Sequence, residues 1–380
     1  MSAPRVLWVA PLLSVVGCIN LGLPGPLGVA NSQLNDVGRS AARGAARAAV
    51  APTKACVGAE LAKYDLNPDQ EYWFGRSVAD RLLAPYANGR VYDPDSLAAI
   101  YLNEVGEVVA DGAARDRDDG GGITGRARRF AWTRKDDVPD RPPPEHGYRF
   151  ILVRDPNPGA WATPGGFVIV TDGLVARAAS EDQLGAILAH EISHVQRGHG
   201  VEGFMRDVCE QKNSKLAAVV RGAGEGAANG LRSAGAFYAA LPLDKLVALL
   251  SEGAQHLATS LTTRGYGTAY ELEADAYGTR YAANAGYAPG GIASYLRRVS
   301  PDPAFSTARD TSHPPLARRI EALDAQLTAE RLGPAESPSA HLRRQRFVDA
   351  LRASKIRPDW RRATDPAKAP LMPPAETAAR

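Results

Sequence analysis

Three residues near the middle of the chain have types and a spacing that suit metal binding and proton transfer. They are His190, Glu191 and His194, in the order His-Glu-Ile-Ser-His. Two histidines four residues apart on a helix project to the same side, so both imidazoles can bind one metal ion. Zinc accepts such ligands at ~2.0–2.1 Å. Glu191 lies on the adjoining flank, where it can reach a water molecule beside the metal. The pattern therefore predicts a zinc site with its own general base.

The flanking sequence predicts the helix that this pattern needs. Ser180-Glu181-Asp182-Gln183 has the form of a capping box, which marks a helix start. Beyond it, apolar residues recur at helical spacing and form one stripe, made of Leu184, Ile187, Leu188, Ile192 and Val195. The two histidines therefore flank the face on which the helix packs.

A catalytic zinc usually has three protein ligands and one open position. One known arrangement places a third histidine six residues after His194, but that position holds Gly200, and His199 is one residue out of register. The alternative is a carboxylate from a second helix. Glu271 and Asp275 lie four residues apart and share a helical face. One of them can bind the metal while the other accepts the spare N–H of a ligating histidine.

Four motifs in this order resemble the M48 family of peptidases, which includes the CAAX prenyl proteases and the HtpX-type peptidases. Along the chain they are the segment 157–173, His-Glu-Ile-Ser-His with His199 five residues beyond, the segment 271–278, and Ser312-His313-Pro314-Pro315-Leu316 with Arg319. The resemblance spans roughly residues 70–325. It implies an α+β fold of the zincin-like (gluzincin) type, mostly helical, with a small sheet bordering the active-site cleft.

The same resemblance assigns roles on the second helix. It implies that Glu271 is the third zinc ligand and that Asp275 supports a ligating histidine. Glu273 is the competing candidate, since it lies two residues on and faces another side of the helix.

The segment 157–173 is similar to the strand that borders the cleft at the sheet edge in this family. The resemblance predicts that Gly165, Gly166 and Phe167 bind an extended peptide by main-chain hydrogen bonds, a mode with little sequence preference. An ordinary hairpin strand is the alternative. The family segment usually begins Asn-Ala, whereas Pro158 follows Asn157 here.

The predicted catalysis is metal-assisted peptide hydrolysis. Glu191 takes a proton from water and passes it to the leaving amine. His313 is the candidate donor to the oxyanion, and it could instead bind zinc in a closed resting state or only begin a helix before Pro314. Arg319 supports the same wall of the site or pairs with an acid.

Two functions remain open from the sequence. The first is a zinc metalloendopeptidase, with one zinc per chain, that hydrolyses unfolded or misassembled cell-envelope proteins. The second is a chaperone-like assembly factor with a latent peptidase site. A purely structural zinc fits poorly, because structural sites usually have four protein ligands rich in cysteine.

The N-terminal residues predict export and lipid anchoring. Arg5 precedes a short apolar stretch, and residues 1–17 read as a signal peptide that ends in Val-Val-Gly before Cys18. This ending resembles the lipobox of bacterial lipoproteins and predicts a lipid on Cys18, followed by a tether over residues 18–60. Ile19 favours the outer membrane, facing the periplasm. The apolar patches of residues 216–262 are interrupted by charges, so none reaches the ~20 residues of a membrane span.

The remaining composition is that of a folded protein with unremarkable charge. The 380 residues are 44% hydrophobic and 23% charged with a net charge of +3, which does not favour a nucleic-acid partner. Cys56 and Cys209 are left as a disulfide candidate or as two separate thiols.

The chain divides by composition into the leader and tether, a metallopeptidase domain over residues 61–330, and a Pro/Ala/Arg-rich tail over 331–380 with one helix near 340–352. Residues 111–146 are predicted to be a loop insertion. Helices are predicted to start at Asn67 and Asp93, and strands are predicted over 148–153 and 167–171.

Overall fold

A computed structural model of the chain describes residues 65–118, 141, 143–210, 243–263, 265–301, 315–332 and 339–358. By contacts the chain forms two units, Met1–Pro52 and Thr53–Arg380, and every described residue belongs to the second. The predicted leader and Cys18 lie outside the described residues, as does Cys56. Cys209 lies within a helix, but its side chain is outside what the structure describes.

The described residues are mostly helical with one small sheet, which confirms the predicted α+β class. The helices are α1 (Pro68–Leu83), α2 (Leu97–Asp118), α3 (Asp172–Arg177), α4 (Glu181–Gln196), α5 (His199–Glu210), α6 (Leu243–Thr263), α7 (Thr268–Asn284), α8 (Gly291–Val299), α9 (Leu316–Ala329) and α10 (Ala340–Ala353). The strands are β1 (Arg149–Val153), β2 (Ala160–Thr163) and β3 (Phe167–Thr171). None of these helices is both long enough and apolar enough to cross a membrane.

Two predicted helix starts are confirmed by their caps, whereas α2 begins at Leu97, four residues after the predicted Asp93. Asn67 accepts from the backbone N–H of Gln70, whose side chain accepts from the N–H of Asn67. At the start of α4, Ser180 accepts from the N–H of Gln183.

The sheet separates two hydrophobic cores. Its order is β1-β3-β2, with β1 parallel and β2 antiparallel to the central strand β3. Val168 and Val170 face a core shared with α2, α4, α7, α8 and α10, whereas Phe167 and Ile169 face a core shared with α1, α5 and α6. This alternation follows from the period of two along a strand. Since β3 is covered on both faces, all five of its residues are buried.

Helix α4 lies in the middle of the larger core, and all sixteen of its residues are buried. It packs against α7, α2, α8, α10 and β2. A helix enclosed on all sides can hold side chains at fixed positions, because few neighbours can move independently.

The predicted loop 111–146 was wrong at its beginning, because α2 continues to Asp118. Gly112 packs closely against the end of α7, where Asn284 donates to its carbonyl and to the carboxylate of Asp116. These contacts stabilise a turn of helix that the composition alone disfavoured. Near the other end of the segment, Arg141 is buried and pairs with Asp65 at 2.7 Å and with Glu71 at 2.6 Å. Residues 119–140 lie outside the described part of the chain.

The predicted helix near 340–352 is confirmed as α10, but the helix packs in the larger core rather than belonging to a separate C-terminal tail. Phe347 and Leu351 are fully buried there. On the same helix, Arg343 donates to Asp182 at 2.8 Å and Arg346 pairs with Glu181 at the first turn of α4. We call these ion pairs the α10 clasp. Its buried carboxylates need such partners, since an unpaired buried charge is strongly destabilising.

Candidate metal centre

The two predicted histidine ligands meet at one point. The Nε2 atoms of His190 and His194 lie 3.1 Å apart, with their rings nearly perpendicular at 81°. Both side chains are buried on α4. Two Nε2 atoms this close and directed at one point are arranged to share a third atom between them.

Glu271 of α7 completes the group. Its Oε2 lies 3.5 Å from Nε2 of His190, and its Oε1 lies 3.8 Å from Nε2 of His194. The three ligand atoms all lie within 4.8 Å of one another. Helix α7 can approach α4 this closely because Gly278 faces the backbone of His190, where a Cβ would lie only 2.9 Å from its Cα and N atoms.

The donor set fits a catalytic metal. Two imidazoles and one carboxylate are three protein ligands, which leave a position open for substrate or water. The competing candidate Glu273 faces another way, since it pairs with Arg197 at 2.7 Å. The structure therefore groups Glu271, rather than Glu273, with the two histidines.

Glu191 is buried beside this group and lines the same cleft. Its carboxylate accepts a hydrogen bond from the backbone N–H of Ala162 on β2. Burial raises the pKa of Glu191 above its ordinary value, although positive charge on His190 opposes the shift. A carboxylate with a raised pKa is a better proton acceptor, which suits a general base.

His190 is supported by a carboxylate. Its Nδ1 lies 2.9 Å from Oδ1 of Asp275, as predicted for a supporting acid. Arg319 of α9 in turn donates twice to Asp275, at 2.7 and 2.6 Å. Its guanidinium also lies 3.6 Å from Glu271, so Arg319 both pairs with acids and lines the cleft.

His194 is supported by another histidine. Its Nδ1 lies 2.7 Å from Nδ1 of His199 at the start of α5, and Nε2 of His199 lies 3.7 Å from Glu273. With Nε2 of His194 facing the metal centre, its Nδ1 carries the proton and donates to His199. Arg197 completes this second support by its bond to Glu273.

The two histidines differ in their affinity for protons. For His190, burial lowers the pKa but hydrogen bonds to Asp275 and Glu271 outweigh it and raise the pKa to about 9. Burial and the positive charge of His190 hold the pKa of His194 well below its ordinary value. In the metal-free protein His190 therefore carries a proton that a metal must displace.

The predicted peptide-binding strand was wrong in its position. Phe167 begins β3, which is the central strand, while the edge strand beside the cleft is β2. Gly165 and Gly166 form a buried turn against α1, where a Cβ on Gly165 would lie 2.7 Å from the Cα of Tyr72. These three residues therefore hold the sheet on α1, and Ala160 and Trp161 line the cleft in their place. Asn157 is exposed, and its side-chain amide donates to Asp155.

One wall of the cleft is apolar, and one further residue that lines the cleft, Tyr266, was not predicted from the sequence. The apolar wall comes from α3, α4, α8 and α9, including Leu174, Ile187, Ile292, Leu296 and Leu316. Tyr266, just before α7, also lines the cleft, and its ring stacks on His194 with centroids 4.4 Å apart. A lone tyrosine has no spacing signal that could have revealed this position. His313, the predicted oxyanion donor, lies outside the described residues.

Comparison with known families decides the class of this centre. A profile of peptidase family M48 matches residues 129–327, which is more than half of the 380 residues. The chain belongs to peptidase family M48. It therefore has the zincin-like α+β domain of a family of metallopeptidases, which hydrolyse peptide bonds. The match covers the elements that bring His190, His194 and Glu271 together, and it ends before the α10 clasp.

Two curated relatives agree with this family over part of their length. The putative beta-barrel assembly-enhancing protease of Vibrio cholerae is 27% identical over 167 residues, which cover 42% of this M48 peptidase and 30% of the relative. The mitochondrial metalloendopeptidase OMA1 of Schizosaccharomyces pombe is 43% identical over 51 residues, 13% of this chain and 15% of that protein. The chain thus matches less than a third of either relative.

Proposed function

We propose that this M48 peptidase is a zinc-dependent endopeptidase that hydrolyses unfolded or misassembled proteins of the cell envelope. The observation that carries the proposal is the convergence of His190, His194 and Glu271 beside the buried Glu191. Two imidazoles and a carboxylate are the protein ligands of several zinc peptidases, and zinc bound there would activate a water molecule and polarise the scissile carbonyl.

The residues of the chain supply the rest of the reaction. Glu191 accepts a proton from the attacking water as the new C–O bond forms and gives a tetrahedral intermediate. It then transfers that proton to the leaving amine as the C–N bond breaks. The water oxygen ends on the new carboxylate and the second product leaves as an amine. Asp275 and His199 hold the two imidazoles in the orientation that presents Nε2 to the metal.

The choice of substrate follows from the form of the cleft. β2 lies at the sheet edge beside the centre, and a strand edge binds an extended backbone with little regard for sequence. Only a chain that can be drawn out into a strand reaches such an edge, which favours unfolded over folded substrates. The apolar wall formed by Leu174, Ile187 and Leu296 favours bulky apolar side chains, which are exposed in misassembled proteins.

We propose further that the protein is anchored by a lipid on Cys18 to the outer membrane, facing the periplasm. The proposal is supported by the lipobox-like ending at Cys18. The name of the Vibrio cholerae relative, which links that protease to beta-barrel assembly, also agrees with an envelope substrate. Incorporation of labelled palmitate into the wild type, and its loss in Cys18→Ser, would support the anchor. Equal labelling of both proteins would contradict it.

The peptidase itself is tested on the full-length protein purified in detergent, with zinc counted by elemental analysis and unfolded casein as substrate. We expect one zinc per chain, cleavage of casein, and loss of cleavage in Glu191→Gln with zinc retained. Glu104→Gln is the matched control, because it makes the same acid-to-amide change at an exposed position of α2. Absence of zinc would contradict the proposal, as would cleavage that persists in Glu191→Gln.

A further inference from the structure

The edge strand β2 has one outward-facing residue, Ala162, whose backbone groups are already hydrogen-bonded. The N–H of Thr171 donates to the carbonyl of Gly159, and the register pairs Trp161 with Ile169. In an antiparallel pair the bonded residues alternate, so Ala160 and Ala162 direct their N–H and C=O groups away from the sheet. A peptide that extends the sheet must bond to these groups.

Both outward backbone groups of Ala162 are hydrogen-bonded to side chains that line the cleft. The hydroxyl of Tyr266 donates to its carbonyl at 2.6 Å, and its N–H donates to Glu191. The bond to Tyr266 is short and joins residues 104 positions apart in the sequence. The resting protein thus places its own donor at the acceptor that a substrate N–H would use.

Tyr266 also lies against the metal ligands. Its ring is nearly parallel to that of His194, at an angle of 25°. Tyr266 therefore lines the cleft with a phenol hydroxyl that already acts as a hydrogen-bond donor, to the carbonyl of Ala162.

We propose that Tyr266 is a further catalytic residue of this peptidase, one that the substrate itself releases. A backbone N–H of the bound peptide takes over the carbonyl of Ala162, and the freed Tyr266 hydroxyl donates to the carbonyl oxygen of the scissile peptide as that oxygen becomes negative. No proton is transferred by Tyr266. The proposal rests on the proposed peptidase function and adds to it the donor that the oxyanion needs.

This exchange of hydrogen bonds favours catalysis for two reasons. It costs little free energy, and the released hydroxyl acts mainly on the transition state. One hydrogen bond at Ala162 replaces another, so release of the hydroxyl leaves no buried acceptor unpaired. A hydrogen bond to a charged oxygen is roughly twice as strong as one to a neutral oxygen. The donor therefore stabilises the transition state more than the bound substrate, which is the condition for a higher kcat.

The first test is Tyr266→Phe, which removes the hydroxyl and keeps the ring on His194. We expect kcat for a peptide substrate to fall about 100-fold, the loss typical of one oxyanion donor. KM should not rise, because the carbonyl of Ala162 is then uncovered. Zinc content should stay at the wild-type value. The matched control is Tyr92→Phe, which removes a tyrosine hydroxyl bound to Asp172, away from the cleft.

A second measurement does not depend on turnover. Isothermal titration compares the zinc-loaded wild type and Tyr266→Phe for a phosphinic peptide, whose tetrahedral anion imitates the transition state. We expect about 100-fold weaker binding by the variant. In a Glu191→Gln background the corresponding substrate peptide should bind both proteins equally, or bind the variant more tightly.

The outcomes separate the two proposals. An unchanged kcat in Tyr266→Phe, or an equal loss of affinity for both ligands, would overturn the inference and leave Tyr266 as a residue that positions β2. If the wild type fails to hydrolyse any peptide, the proposed function falls, and the comparison of the two ligands still decides whether Tyr266 binds a tetrahedral anion.

Discussion

His190 and His194 present the same atom, Nε2, to the same centre, but the chain supports them by different chemistry. Behind His190 stands a carboxylate, Asp275, held by Arg319 with two hydrogen bonds. Behind His194 stands a second imidazole, His199, and the carboxylate of Glu273 lies one residue further away. Both supports end in an arginine, and all of these side chains are buried.

The difference shows how one site can contain two histidines in opposite protonation states. A carboxylate in direct contact favours the charged imidazole, so the pKa of His190 rises to about 9. An intervening neutral imidazole satisfies Nδ1 of His194 without adding negative charge next to it, and burial then lowers the pKa of His194. His194 is therefore neutral and ready to bind a metal, whereas His190 must first lose a proton.

The largest expected effect comes from removing the arginine that ends the first support. Arg319→Met leaves two buried acids, Asp275 and Glu271, with only the charge of His190 beside them in the metal-free protein, and we expect it to lose about 3–5 kcal/mol of unfolding free energy. Arg197→Met is the matched change in the second support and should cost less, since His199 can become charged and pair with Glu273. Urea denaturation of the metal-free proteins measures both. Equal losses would show that the two supports are equivalent.

The protonation difference predicts how metal affinity depends on pH. Since His190 is protonated below pH about 9 in the metal-free protein, its proton competes with the metal. The affinity for zinc should therefore rise with pH, by about tenfold per unit, until the pH passes the pKa of His190. Titration against a competing chelator measures this slope. In Asp275→Asn the pKa of His190 falls and the slope should flatten above pH 7.

A wild-type affinity that is flat between pH 7 and 9 would contradict the assignment of the proton to His190. Asp111→Asn makes the same acid-to-amide change at an exposed position on α2, and it should keep the wild-type slope.

The smallest expected effect lies in the second support. His199→Asn keeps a side chain that can accept from His194 but separates it from Glu273. We expect about a tenfold loss of zinc affinity, at the lower end of the range for residues that orient ligands. Because the proton on His190 is unaffected, the pH slope should stay as in the wild type. A flattened slope in His199→Asn would show that the two supports are coupled rather than separate.

Local patterns in the sequence predicted most of this centre. The helix around His190 followed from a capping box and an apolar stripe, and the spacing of Glu271 and Asp275 placed both acids on one helical face. Such features depend on residues within a turn or two of each other. Such local features can be predicted from the sequence because the backbone geometry fixes the periodicity of a helix.

The predictions that failed concerned partners distant in the chain. β2 is four residues long and lies between Gly159 and Pro164, so neither its strand character nor the sheet order could be seen locally. The position of Tyr266 depends on Ala162, which lies 104 residues earlier. In α10, the spacing of Phe347 and Leu351 was a visible signal for packing, but the high arginine content concealed it, since Arg343 and Arg346 pair with acids at the start of α4.

The α10 clasp joins the first turn of α4, the helix that carries His190 and His194, to residues that are synthesised much later. Arg343 and Arg346 follow the acids that they hold by 161 and 165 residues. On the ribosome, Asp182 and Glu181 therefore emerge long before these arginines, and the first turn of α4 has no guanidinium partner from α10 until that helix has been synthesised. Full pairing of the first turn of α4 therefore becomes possible only after 165 further residues have been added beyond Glu181.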